Sequence, residues 1–249
     1  MDLNADLGEG FGIWRLGDDH AMLDLITSAN VACGFHGGDP STMHRVCAAA
    51  AERGVVVGAQ VGYRDLAGFG RRHIAYGFGE LRDEVIYQLG ALDAFCRLFG
   101  TRVRYLKPHG ALYHAAACDE AQAAALVAAV SGYDHELPVL CPAGSVLAQL
   151  AVGAGLRVVA EGFADRNYLP NGSLVPRTAA NALVTDPEDV AVRAVRMATE
   201  RTVVAIDGSV VPCHVESICL HGDSPGAVGS AALVRAALFD AGITPMPFA

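Results

Sequence analysis

Residues 28–40 read Ser28-Ala29-Asn30-Val31-Ala32-Cys33-Gly34-Phe35-His36-Gly37-Gly38-Asp39-Pro40. The run Asn30–Phe35 has the length and apolar character of a buried strand, and the glycines around His36 leave it unpacked at the strand end. Asp39-Pro40 then supplies a helix N-cap followed by proline at the first helical position, and Gly54 after Arg53 supplies a helix stop. Strand, polar tip, long helix: this unit recurs along the chain. Strand-like runs are Asp2–Leu7, Asn30–Phe35, Val55–Gln60, Val103–Lys107, Leu137–Cys141, Arg157–Gly162, Val203–Ile206 and Ser217–Leu220. Helix-like stretches lie near 18–29, 40–53, 79–99, 119–131, 144–154, 186–200 and 226–241. Short β alternating with long α predicts mostly parallel strands joined by right-handed crossovers.

Two architectures fit that alternation, an open doubly wound sheet and a closed barrel. Polar residues stand at the carboxyl end of nearly every strand: Asn4 and Asp6, His36 and Asp39, Gln60, Lys107 and His109, Glu161 and Asp165, His221 and Asp223. An open sheet gathers its site from two or three strands at a switch point, whereas a barrel gathers it from all round one rim. The pattern therefore predicts an α/β protein, an irregular (β/α) barrel of about seven to eight mostly parallel strands. No Pro/Gly/Ser linker or change of composition divides the chain, so residues 1–249 read as a single domain.

Composition narrows the function. A chain with 52% hydrophobic and 18% charged residues is globular, and a net charge of −9 argues against a broad nucleic-acid surface. Met1-Asp2-Leu3-Asn4 does not resemble a secretory leader, and no apolar run reaches a membrane span. The 7 cysteines are scattered without a CxxC, which suits reduced thiols and a cytoplasmic setting. Of 18 basic residues only Lys107 is a lysine. In an arginine-biased chain, a solitary compact cation at a strand end is either an accident of composition or a position where arginine's rigid fork would not serve.

Asn4 and Asp6 share one face of their strand and precede Gly8, Gly10 and Gly12, which permit close backbone approach to a ligand. The phosphate-cradling pattern GxxxxGK[ST] is absent from the sequence. Pro108 stiffens the exit from its strand, so Lys107 and His109 project to one side. Glu161 ends another strand, with Asp165-Arg166 following, and His221-Gly222-Asp223 ends a third. Phe69-Gly70-Arg71-Arg72 and Leu174-Val175-Pro176-Arg177 are basic loop segments suited to a local anion pocket. No strong zinc motif is present, though Asp6, His36 and His109 could assemble one Asp/His/His site. Cys33 reads as a small core residue rather than a nucleophile, and His20, His44, His73, His114, His135 and His214 as packed or surface histidines.

Seven segments together resemble the LamB/YcsF lactam-utilisation family: Asp2–Gly12, Ser28–Pro40, Gly68–Arg72, Lys107–Tyr113, Glu161–Arg166, Leu174–Arg177 and His221–Asp223. The resemblance implies a barrel related to the glycoside hydrolase/deacetylase superfamily. It also implies ATP-dependent opening of 5-oxo-L-proline to L-glutamate, with Mg as in other phosphoryl transfers, beside separate B and C subunits of a 5-oxoprolinase. In that chemistry Lys107, with Arg71, Arg72 or Arg177, would meet phosphate or substrate carboxylate. Asp6, Glu161 or Asp165 would act as base or Mg ligand, His36 and His109 as proton carriers, and Asn4, Arg166, His221 and Asp223 would hold the lactam. Where the family commonly carries His-Pro after Gly58-Ala59, this chain has Gln60-Val61, and an amide cannot shuttle protons. Two rival functions remain open at this point: a metal-dependent deacetylase or amidohydrolase that uses no ATP, and a non-catalytic lactam-binding subunit.

Overall fold

The structure, a computed structural model, describes residues 1–222 and 226–249. Among these, seven parallel strands close into a barrel in the order β1 (Asp2–Leu7), β2 (Ser28–Ala32), β3 (Val56–Val61), β4 (Leu106–Pro108), β5 (Val139–Pro142), β6 (Val158–Phe163) and β9 (Ser217–Leu220), with β9 returning to β1. Helices α1 (Asp19–Leu23), α2 (Pro40–Arg53), α3 (Phe78–Leu98), α4 (Gly110–Cys118), α5 (Glu120–Tyr133), α6 (Val146–Gly153), α7 (Pro187–Thr199) and α8 (Ala227–Asp240) accompany it. The expected signals operate at the helix ends. Asp39 accepts from the Thr42 backbone N–H at 3.0 Å, Pro40 opens α2, and Gly54 closes it in the left-handed conformation.

Period-two alternation sorts the strands. On β1, Leu3, Ala5 and Leu7 enter the main apolar core, while Asp2, Asn4 and Asp6 carry the polar network. Inside the barrel, Asp2 accepts from Thr27 at 2.5 Å, from Ser28 at 2.7 Å and from Ser217; Asn4 donates to Ser217 at 2.6 Å. Beneath this polar belt Tyr105, Leu140 and Val159 form an apolar floor, against which Val56, Phe248 and Ala249 pack. The Tyr105 hydroxyl donates to Asn30 Oδ1 at 2.6 Å, tying floor to belt. Its ring also explains Gly58, where any Cβ would collide with it.

Several boundaries differ from those the sequence suggests. The stretch 18–29 yields only the short α1, because Ser28 already pairs with Asn4 on β1 and Val56 on β3. The apolar run Val203–Ile206 supplies β7 (Thr202–Val204), which pairs antiparallel with β8 (Val210–Pro212) outside the barrel. Helix α4 escapes sequence reading because its N-cap, His109, makes no side-chain capping bond. Among the described residues, no helix is long and apolar enough to cross a membrane.

Gly58→Ala must push the Tyr105 ring aside. It is expected to cost about 1–3 kcal/mol, the usual range for overpacking a tight interior, measured as a fall in the urea midpoint at unchanged slope.

Candidate active site

The carboxyl ends of the strands bring together most of the polar tips. At the centre Lys107, on β4, is 3% exposed and contacts three other strands. Its ammonium lies 2.7 Å from Glu161 Oε1 and donates to Asp6 Oδ1 at 3.1 Å, Asn4 Oδ1 at 3.2 Å and Cys219 Sγ at 3.1 Å. The Phe163 ring lies 5.6 Å away. Burial alone would drive the proton off, but Asp6, Cys219 and Glu161 outweigh it and keep the ammonium charged. The effect is mutual. Burial would raise the Asp6 carboxyl; Lys107 above all, helped by the Asn30 hydrogen bond, holds it well below the usual carboxylate range. Asn30 completes the unit, donating to Asn4 Oδ1 at 2.7 Å and Asp6 Oδ1 at 2.8 Å.

Beside this unit stand two parallel imidazoles. His36 and His109 stack with centroids 3.8 Å apart and an interplanar angle of 8°. Glu9 Oε1 approaches His109 Nδ1 at 3.5 Å and His36 Nε2 at 3.7 Å. Gln60 joins all three: its Nε2 lies 3.2 Å from Glu9 Oε1 and 3.0 Å from His109 Nδ1, and its Oε1 lies 3.2 Å from His36 Nε2. His109 Nε2 faces the Phe69 carbonyl at 3.0 Å, so the assigned tautomer donates there and keeps a lone pair on Nδ1. Burial, then the neighbouring His36, pushes the His109 imidazole well below its ordinary value and keeps it neutral.

A third group lies between β6 and β9. His221 Nδ1 is 2.6 Å from Asp165 Oδ2, which orients the ring, and Phe163 stacks on it at 5.7 Å. Burial would raise the Asp165 carboxyl, and the His221 contact reverses that. Tyr113, on α4, lies against Glu161; burial and then that carboxylate push its phenol well above the ordinary value.

The basic residues are placed differently from the sequence expectation. Arg166 is buried and structural: it donates to Val175 O at 2.6 Å and Ala182 O at 3.3 Å, pinning the segment between them instead of facing a lactam. Arg72 clasps Asp65 through contacts at 3.0 and 3.1 Å and a closer one, so its charge is committed within the loop. Arg71 lies over the Phe69 ring at 4.9 Å, and Arg177 is exposed. Lys107 is no open phosphate anchor, since two carboxylates enclose it. Asp223 lies outside the described residues. Asp39 serves as a cap and also accepts from Gly12 N–H at 2.9 Å.

Metal-ligand spacing also departs from expectation. The ligand atoms of Glu9, His36 and His109 all lie within 4.8 Å of one another. Asp6 stands outside this set: Lys107 and Asn30 occupy its Oδ1, and its Oδ2 lies 4.0 Å from His109 Nδ1. Glu9 escapes sequence reading because it sits among glycines and resembles a turn residue. Its one signal is that it follows Asn4 and Asp6 directly beyond the same strand.

Lys107→Met strands two buried carboxylates and is expected to cost about 3–5 kcal/mol of stability near neutral pH. The depressed Asp6 carboxyl stabilises the fold above its unfolded value, and that contribution disappears as pH falls through the folded value. The stability gap between wild type and variant should therefore narrow on acidification, and the Asp6 carboxyl should titrate at higher pH in the variant by carbon-13 NMR. An unmoved Asp6 titration would show that Lys107 does not control it.

The chain is similar to known proteins along its whole length. The model of the LamB/YcsF family matches residues 1–249. A protein of Mycolicibacterium gilvum, named as the A subunit of 5-oxoprolinase, is 56% identical over 248 residues, covering 100% of this chain and 98% of that one. One of the same name from Mycobacterium avium is 57% identical over 243 residues, covering 98% and 96%. The crystal structure of a lactam utilization protein from Thermus thermophilus superposes with a TM-score of 0.96 at 44% identity, covering 100% and 99%. A family 4 carbohydrate esterase from Streptomyces lividans, at 10% identity and TM-score 0.51 over 100% of this chain and 92% of that one, shares the fold alone. The chain belongs to the LamB/YcsF family.

Proposed function

We propose that this chain is the ring-opening component of an ATP-dependent 5-oxoprolinase, its A subunit, and converts 5-oxo-L-proline to L-glutamate beside B and C subunits. The names carried by its relatives support the substrate class. The observation that carries the reading is the convergence at one rim of a buried Lys107–Asp6–Glu161 unit and the His221–Asp165 pair.

A five-membered lactam is an unactivated amide, so opening it needs an activated carbonyl, an incoming water and a proton for the departing nitrogen. Phosphorylation of the carbonyl oxygen by ATP, with Mg, supplies the activation. Water then adds at carbon, the C–N bond breaks, and the resulting acyl phosphate takes up a second water. The sequence lacks a P-loop and its one lysine is enclosed by carboxylates, so the reading assigns nucleotide handling to the partner subunits. This chain would then supply the water and proton chemistry. His221, with Nδ1 directed at Asp165, presents Nε2 as the base that takes a proton from water and returns it to nitrogen. Asp6, held so far below the ordinary carboxylate range, is a poor base and serves as fixed charge with Lys107. Arg71 and Arg177 would meet the anionic group of the incoming substrate.

Assay of the purified chain with its partner subunits and 5-oxoproline, with and without ATP, tests the reading. Glutamate release should require ATP, and His221→Asn should lower kcat by about 10²–10⁴-fold, the range for loss of a general acid–base group. Glutamate formed without ATP would instead favour a metal-dependent amidohydrolase, the reading that the Glu9, His36 and His109 cluster supports.

A further inference from the structure

We infer that the loop between β1 and α1, through Phe11, Ile13, Trp14 and Leu16, docks the partner subunit that hands activated lactam to this rim. Ile13 is 88% exposed and Trp14 70%, while Phe11 and Leu16 are each 37% exposed. Nowhere else among the described residues do four exposed large apolar side chains fall within six positions. Single exposed apolar residues are ordinary on a protein surface, but a group of this density marks a binding surface. Tryptophan is among the residue types most enriched at the energetic centres of protein interfaces.

The loop is held in place. Phe11 and Trp14 exchange backbone hydrogen bonds of 2.9 Å in both directions, and Gly12 between them takes the left-handed conformation, φ 59°, that a tight two-residue turn uses. Asp39 Oδ2 accepts from the Gly12 N–H at 2.9 Å, tying the turn to the start of α2. On the return leg, a Cβ at Gly17 would stand 2.6 Å from the Gly222 carbonyl oxygen, so the backbone there lies against the end of β9 beside His221. On the outward leg, Glu9 is buried and faces His36 and His109. The apolar turn therefore projects from the rim itself, with residues of the site at both of its feet.

Position and chemistry select the occupant. The choice rests on the ring-opening reading, in which a phosphorylated lactam made by a partner must reach this rim. Bulk water would destroy such an intermediate, so the two sites must meet face to face, and the surface that receives the partner belongs at the mouth. Relatives carry the name of an A subunit, which implies companion chains. The lactam itself is no larger than one indole ring and cannot cover four large side chains. A turn pinned at Asp39 and Gly222 is not built to fold down as a lid. A net charge of −9 opposes docking on an anionic lipid surface.

Trp14 is the one tryptophan in the chain, so incorporation of 5-fluorotryptophan gives the full-length protein a single fluorine resonance. Unlabelled B and C subunits are then added without ATP or lactam. The resonance should shift and lose its sensitivity to light against heavy water. Ile13→Asp and Trp14→Asp, both at exposed positions, should each weaken partner binding by at least about tenfold in calorimetry. At saturating concentration each variant should restore the wild-type rate of ATP-dependent glutamate release. Absence of partner binding, an unmoved resonance in the bound complex, or unchanged affinity in both variants would overturn the inference. So would the same shift produced by 5-oxoproline alone, by concentrating the chain alone, or by vesicles of phosphatidylcholine and phosphatidylglycerol, which would assign the loop to a lid, a second copy or a membrane. Coverage of Trp14 by the partners without glutamate release sinks the ring-opening reading and leaves the docking surface standing. Glutamate release with Trp14 uncovered does the reverse.

Discussion

One buried ammonium organises the upper half of this barrel. Lys107 joins β4 to β1, β6 and β9 through contacts with Asn4, Asp6, Glu161 and Cys219. A lysine so enclosed is tolerable only because carboxylates face it, and those carboxylates are tolerable only because it is charged. Removing either side leaves an uncompensated charge in the interior. The polar belt below depends on the same arrangement, since Asn4 Oδ1 accepts from both Lys107 and Asn30. A compact ammonium meets these four partners from one point, which arginine's flat fork of spread donors does not do, and this gives physical sense to the single lysine in a chain otherwise furnished with arginine.

Much of this is legible from the strand tips. Polar residues at the carboxyl ends of many apolar runs require a closed rim, and the barrel brings Asn4, Asp6, Lys107, His109 and Glu161 together as that argument demands. His36 joins them from the loop after β2, and Asp165 pairs with His221 at the ends of β6 and β9. Burial of charge is harder to read. A sequence shows that Arg166 is cationic but not that Val175 and Ala182 turn their carbonyls to it. Glu9 escapes for the converse reason: glycines on both sides make a carboxylate look like a turn residue, and only the closed barrel shows that this turn folds inward over the two histidines.

Gln60 shows how one side chain changes what a cluster can do. With an imidazole in its place, three rings would compete for the proton beside Glu9. The amide instead offers a donor to His109 and an acceptor to His36, and so fixes how the two rings stand. It gives up proton transfer at this position and gains positional order. Across the rim, His221 and Asp165 keep an imidazole–carboxylate contact of 2.6 Å.

The apolar floor has its own consequence. Tyr105, Leu140 and Val159 fill the lower barrel, and the carboxyl-terminal Phe248 and Ala249 pack beneath them. The vessel is blind-ended. A molecule that reaches the polar rim finds no passage through this floor, so it meets Lys107 and its partners from the strand-tip side alone.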